Sequence, residues 1–147
     1  MLSTKNLLIL VVVIILLSLP NLNAADTNLQ IVTNIEEILK QNPLEPGATT
    51  AQITRIEGDC VTIWVVQVPV GLELKPHYHN SHAETIYVVK GSGQIFSNDK
   101  WVDIKPGSIQ YNPIGKVNGI RNTGNEPLVF ISIFYPALKD IDSHFVK

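Results

Sequence analysis

The stretch GLELKPHYHNSHAETIYVVKG, Gly71 to Gly91, decides how this 147-residue chain is read. Three of its four His residues fall within six positions here, at His77, His79 and His82, and Glu84 follows two residues later. Side chains alternate between the faces of an extended strand, so His77 and His79 share one face. A short Asn-Ser-His-Ala connection then leads into a second strand that begins with Glu84, and the hairpin brings two imidazoles and a carboxylate together. With that face turned inward, Ile86 and Val88 wall a pocket while Thr85 and Tyr87 point outward. Two His and one carboxylate form the facial set that holds a transition metal with positions left open. The plainer alternative is a hairpin loop decorated with solvent-facing His residues.

Outward from this hairpin the chain reads as a series of short strands. Apolar runs at Thr50–Ile56, Val61–Val70, Glu84–Lys90, Gln94–Ser97, Trp101–Ile104, Ser108–Tyr111 and Leu128–Tyr135 are separated by turn sequences. Among these, Gly58-Asp59, Gly91-Ser92-Gly93, Asn98-Asp99 and Pro106-Gly107 supply positive or fixed φ. This spacing predicts an all-β sandwich or barrel, and the lack of a repeat, low-complexity tract or long linker keeps it one domain, 48–138, with a tail over 139–147. Residues 25–47 form a leader. Thr33 and Glu36 have capping-box spacing and Ile35, Ile38 and Leu39 share a helical face, which predicts a short helix from Asn34 to Gln41 stopped by Pro43 and Pro46. Its expected place is across a barrel end or against a partner subunit.

Residues 1–24 read as a signal peptide. Lys5 is their only charge, Leu7–Leu17 is an unbroken Leu, Ile and Val run, and Ala24 and Ala25 are small residues suited to cleavage. The run is well short of the roughly 20 residues that span a bilayer, so no stable membrane anchor is expected after processing, and the mature chain is expected to be secreted or periplasmic. The remaining 123 residues hold 10 basic and 13 acidic side chains with no basic stripe, which speaks against nucleic-acid binding. Cys60 is the only Cys, so no intrachain disulfide is available; it is expected to be a small buried hydrophobe.

The Gly71–Gly91 stretch resembles the first signature motif of the cupins at every spaced position. A second segment, with Gly107, Pro113, Gly115, Asn118 and Asn122 at their spacing, is similar to the second cupin motif except that Asn118 stands where the family usually has His. The resemblance, covering residues 48–135, implies a cupin-type jelly-roll β-barrel with a divalent metal inside. It implies His77, His79 and Glu84 as ligands, with Glu84 the one candidate catalytic group, and Asn118 at the fourth ligand position. An amide oxygen is a poorer donor to Fe, Ni, Cu or Zn than imidazole, so His82 and His144 are alternative fourth ligands. Fe(II) or Mn(II) is favoured, with Zn(II) or Ni(II) as alternatives.

Further residues have two readings. Tyr111 shares strand parity with Ile109, so its hydroxyl projects into the pocket or the ring simply packs. Trp64, Phe96, Phe130 and Phe134 read as core aromatics, Glu73 and Lys75 as a solvated strand edge, and Arg121 as either an anion clamp or a surface cation. Functionally, the resemblance implies an exported metal-dependent oxidoreductase, dioxygenase-like, acting on a small organic substrate such as a flavonol or diketone, with an isomerase or decarboxylase as family alternatives. A binding module that holds a metal or small ligand without turnover is the alternative from another class, and a metal-free structural dimer a third. A homodimer is implied in each case.

Overall fold

The computed structural model describes residues 32–146, so the expected signal peptide and its cleavage site lie outside the described residues. One helix, α1 (Ile35–Gln41), is followed by ten strands: β1 (Gln52–Glu57), β2 (Thr62–Val68), β3 (Glu73–Tyr78), β4 (Ala83–Lys90), β5 (Gly93–Ser97), β6 (Lys100–Ile104), β7 (Ile109–Asn112), β8 (Asn118–Arg121), β9 (Leu128–Tyr135) and β10 (His144–Phe145). They form two five-stranded antiparallel sheets, ordered β1-β2-β9-β4-β7 and β10-β3-β8-β5-β6. The inward positions of both sheets make one core, where Val66, Val68, Val88, Leu128 and Phe130 of the first sheet meet Ile95 and Ile120 of the second. The all-β jelly-roll expectation holds, and the expected strand ends shift by a residue or two.

Helix α1 lies on the outside of the first sheet. Ile38 packs against Val65 and Val129, which point away from the core on β2 and β9, and the Gln67 side chain donates to the Asn42 carbonyl at the helix end, 2.8 Å. It therefore covers a sheet face, not a barrel end. Its cap is Asn34, whose side chain accepts from the Glu36 N–H at 2.8 Å, so the Thr33 capping box does not form.

Two glycines set the strand geometry near the site. Gly91 has φ +78°, and a Cβ there would stand 2.6 Å from the Pro127 carbonyl oxygen, which reserves the turn after β4 for glycine. Gly119 of β8 lies against β3 where the register shifts between Leu74 and His77; a Cβ would meet Leu74 O and Pro76 at 3.1 Å. Pro76 has no N–H to give to the ladder, so β3 bulges there and β8 must come close. That close pairing makes His77 and Asn118 register partners.

Other expectations need correction. Cys60 is exposed in the β1–β2 turn. Tyr111 is 66% exposed while Asn112 is buried, because on β7 the inward positions are Gln110 and Asn112; a one-residue change in parity turns Tyr111 to solvent. His144 belongs to β10, which pairs with β3, and not to a polar tail.

Candidate functional site

The hairpin of β3 and β4 delivers what its spacing promised. His77, His79 and Glu84 line a single cavity of about 80 Å³ inside the barrel, and Asn118 reaches it from β8. Its walls are otherwise mostly apolar, with Trp64, Leu74, Ile86, Ile120, Phe130 and Phe134 around the polar cluster. Trp64 meets Phe134 edge-on with ring centroids 4.7 Å apart, and with Phe130 three of the aromatics expected in the core also shape the site.

Hydrogen bonds fix how the imidazoles present themselves. His77 Nδ1 lies 2.8 Å from the Lys75 carbonyl and His79 Nδ1 2.6 Å from the Asp142 carbonyl. A carbonyl only accepts, so each Nδ1 carries the proton and donates. The Nε2 atoms are left to bind something else. His79 Nε2 is buried, has no hydrogen-bond partner, and stands 3.5 Å from Glu84 Oε2. Glu84, itself 6% exposed, accepts from Ser132 Oγ at 2.6 Å and from Asn118 Nδ2 at 3.2 Å. Asn118 thus gives its N–H to the carboxylate, a hydrogen-bonding part that the ligand expectation did not foresee. Ser132 was missed altogether, since one Ser within an apolar strand carries no signal until its partner is known.

The charges follow from these contacts. For His79 burial opposes the proton most strongly, but the Glu84 carboxylate and the Asp142 carbonyl outweigh it and raise the pKa. Burial lowers that of His77, against the pull of the Lys75 carbonyl. His82 is also lowered, first by burial and then by His79. Its ring lies 4.3 Å from that of His79, yet His82 is not among the cavity-lining residues. His144 turns to the Asp142 carboxylate, 2.6 Å away. Neither alternative ligand lines the cavity beside Asn118. Arg121 points away from the cavity, bonded to Gln94 with its guanidinium 4.3 Å from the Trp101 ring centroid, and is no substrate clamp.

The donor types suit a divalent metal, and one pair, His79 Nε2 and Glu84 Oε2, stands near a chelating separation. Two donors each about 2.1 Å from one ion stand roughly 3.0–3.4 Å apart, close to the His79–Glu84 separation, and the orphaned His79 Nε2 is the atom such an ion would satisfy. Among the described residues no three His, Cys, Asp or Glu side chains close into a finished cage. What the site displays is a ligand pair, with His77 beside it across ring centroids 5.0 Å apart.

Comparison with known proteins agrees with this architecture. The family model for the cupin domain matches residues 64–134. A protein of Aquifex aeolicus is 37% identical over 112 residues, spanning 76% of this chain and 89% of that one. The chain belongs to the cupin family. A glucose-6-phosphate isomerase of Thermococcus onnurineus is 34% identical over 113 residues, 69% of this chain and 59% of the relative, so the chain spans about three fifths of that curated protein. An oxalate-binding protein of Thermotoga maritima is 32% identical over 68 residues, 46% of this chain and 56% of the relative. Among solved structures, a double-stranded β-helix protein of Klebsiella pneumoniae superposes with TM-score 0.66 at 21% identity, covering 80% of this chain and 99% of that chain, which speaks to fold alone.

Proposed function

We propose that this cupin binds one divalent metal, Fe(II) or Mn(II) first, through His77, His79 and Glu84, and acts on a small oxygen-chelating molecule in an oxidoreductase, dioxygenase-like reaction. The observation that carries this reading is the buried, unpartnered His79 Nε2 facing Glu84. A metal held there would supply a redox or Lewis-acid centre with open positions for oxygen and substrate. The chain's own residues then have distinct parts: the two carbonyl-bound Nδ1–H groups orient the imidazoles, Ser132 and Asn118 hold the carboxylate, and the aromatic walls exclude water.

Cavity chemistry narrows the substrate. No Lys or Arg lines the cavity, so nothing there answers the charge of about −2 on a phosphate monoester. A sugar phosphate is therefore a poor candidate despite the likeness to sugar-phosphate isomerases, and a flavonol is too large. A short, neutral diketone is favoured, because it asks for no cation in the wall. The second reading, binding without turnover, is favoured by one observation: Asn118, at the fourth ligand position, donates to the Glu84 carboxylate where the family usually has an imidazole.

The test is the elemental content of the chain purified without chelators, beside a His77→Ala control. About one Fe or Mn per chain, lost in the control, supports the metal reading; oxygen uptake with acetylacetone, against binding of oxalate without turnover, then separates enzyme from binding module. No metal after reconstitution would overturn the metal reading and leave small-ligand binding or a structural dimer.

We also propose export, on the uncharged run Leu7–Leu17, and a homodimer. The outer face of β9, β4 and β7 carries Ile133, Tyr135, Tyr87, Ile109 and Tyr111, all 38–70% exposed. A second copy docking there buries these apolar side chains.

A further inference from the structure

The last described residues reach back over the site. Asp142 accepts three hydrogen bonds from the β3–β4 turn with one carboxylate oxygen: Asn80 N–H at 2.8 Å, Ser81 N–H at 2.7 Å and Ser81 Oγ at 2.6 Å. Its other carboxylate oxygen takes His144 Nε2 at 2.6 Å. Its backbone carbonyl is the acceptor for His79 Nδ1. Beyond it, Ser143 lines the cavity, and His144 and Phe145 pair with Tyr78 and His77 as β10. The Val146 N–H then reaches the carbonyl of Pro76, 3.2 Å away, at the bulge of β3. The segment therefore touches both imidazoles of the proposed ligand set: His79 through a hydrogen bond and His77 through the Phe145 ring, whose centroid lies 5.9 Å from that of the imidazole.

We propose that the segment Asp142–Val146 is a strap built into the metal centre, with Asp142 as the positioning residue that makes His79 present Nε2 to the ion. The argument is one of acceptors. An imidazole ligates through a bare nitrogen, and which nitrogen is bare depends on what the other one donates to. For His79 that partner is a main-chain carbonyl 63 residues away in sequence. The carbonyl has no covalent link to the hairpin; the β10–β3 pairing brings the segment alongside, and the Asp142 carboxylate, clasping the Asn80–Ser81 turn, is what fixes the carbonyl of its own residue at that spot. Cutting the clasp frees the carbonyl, after which the His79 ring can turn and exchange tautomers. Partners of this kind are worth about 10- to 100-fold in metal affinity.

This inference rests on the metal reading, so its experiment has one readout that needs a metal and one that does not. In the full chain, Asp142→Ala, Asp142→Asn and a variant lacking residues 142–147 are compared with wild type, and Asp140→Ala serves as a control outside the strap. Mn(II) affinity is measured by competition with a chelating dye, and the His79 tautomer by 15N chemical shifts of the metal-free protein. The expected result is a Mn(II) Kd raised about 10- to 100-fold in Asp142→Ala and in the truncation, with loss of the single Nδ1–H signature. Asp142→Asn, which keeps an acceptor oxygen for the turn, restores most of both. Should the truncation fail to fold, Asp142→Ala carries the test. Wild-type Kd together with a wild-type tautomer in Asp142→Ala would overturn the strap. If wild type itself binds no Mn(II), the metal reading falls, and an Nδ1–H signature retained in Asp142→Ala would still overturn the positioning part assigned to Asp142.

Discussion

Glu84→Gln separates what the carboxylate does for the fold from what it does for the metal. The substitution keeps length and shape in a group that is 6% exposed, and the new amide oxygen can still accept from Ser132 Oγ, now at 2.6 Å from Oε1. What is lost is the charge; the new amide nitrogen takes the place of Oε2, and the Asn118 amide must turn over to accept from it where it now donates. A hydrogen bond to a charged acceptor is worth about 1.5–3 kcal/mol and a neutral one about 0.5–1.5, so the Ser132 bond weakens by about 1 kcal/mol. Removing a buried charge that only His79 faces at close range, 3.5 Å, offsets that loss. Metal-free stability should change by no more than about 1 kcal/mol, a Tm shift of about 4 °C for a chain of this size. The metal loses one of three donors and the only anionic one, and its Kd should rise at least about 100-fold, or ~2.7 kcal/mol. Thermal melts in excess EDTA and dye-competition titration with Mn(II) read the two quantities separately. An unchanged Kd would refute the ligand assignment; a collapsed Tm with intact binding would make Glu84 a structural group.

Four further outcomes follow from the same geometry. Asn118→His places an imidazole where an amide now donates to Glu84, and calorimetry should show metal binding tightened about tenfold, ~1.4 kcal/mol; no change would mean that the position does not face the ion. Leu128→Ala empties a fully buried position in the core and should cost about 2–5 kcal/mol in urea unfolding; under 1 kcal/mol would show a core loose enough to close the gap. The Asp142 carboxyl is held well below its ordinary 3.8, first by the Ser81 hydroxyl. A depressed folded pKa gives stability that is complete above the unfolded value and is lost as pH falls below it. The Tm gap between wild type and Asp142→Ala should therefore hold from neutrality to about pH 5 and close below 3.8; a gap that widens in acid contradicts the clasp. Ile133→Lys puts a charge on the outer face of β9 and should leave a monomer in sedimentation, where the proposed homodimer is expected of wild type; a monomeric wild type would refute that face as the interface.

Much of this was legible in the sequence because it depends on local periodicity. His77 and His79, two apart on a strand, and Glu84 at the head of the next are joined by so short a connection that no tertiary information is needed to bring them together, and the structure places all three on one cavity. Features set by distant contacts were not legible. β8 is four residues, Asn-Gly-Ile-Arg, with no alternation to announce it; it forms because β3 bulges at Pro76 and Gly119 alone can approach it. β10 has two residues, and its pairing with β3 joins positions far apart in the chain. Tyr111 was misplaced by a single step of parity, the error to which a period of two is most exposed.

Asn118 shows how far a departure from a motif can be read from each side. From the sequence it is a missing imidazole, and the natural question is which other His replaces it. In the structure neither candidate lines the cavity: His82 is buried beside His79, and His144 is engaged by Asp142. The amide instead donates to Glu84, and together with Ser132 it gives each carboxylate oxygen a donor. A carboxylate held from both sides keeps its orientation without a metal, which an imidazole ligand at position 118 would not provide while its lone pair faced the ion. The substitution thus exchanges a fourth ligand for a site that is polar and ordered before anything binds. That exchange suits loose metal binding or small-ligand capture, and the tightening expected in Asn118→His is the measure of what was given up.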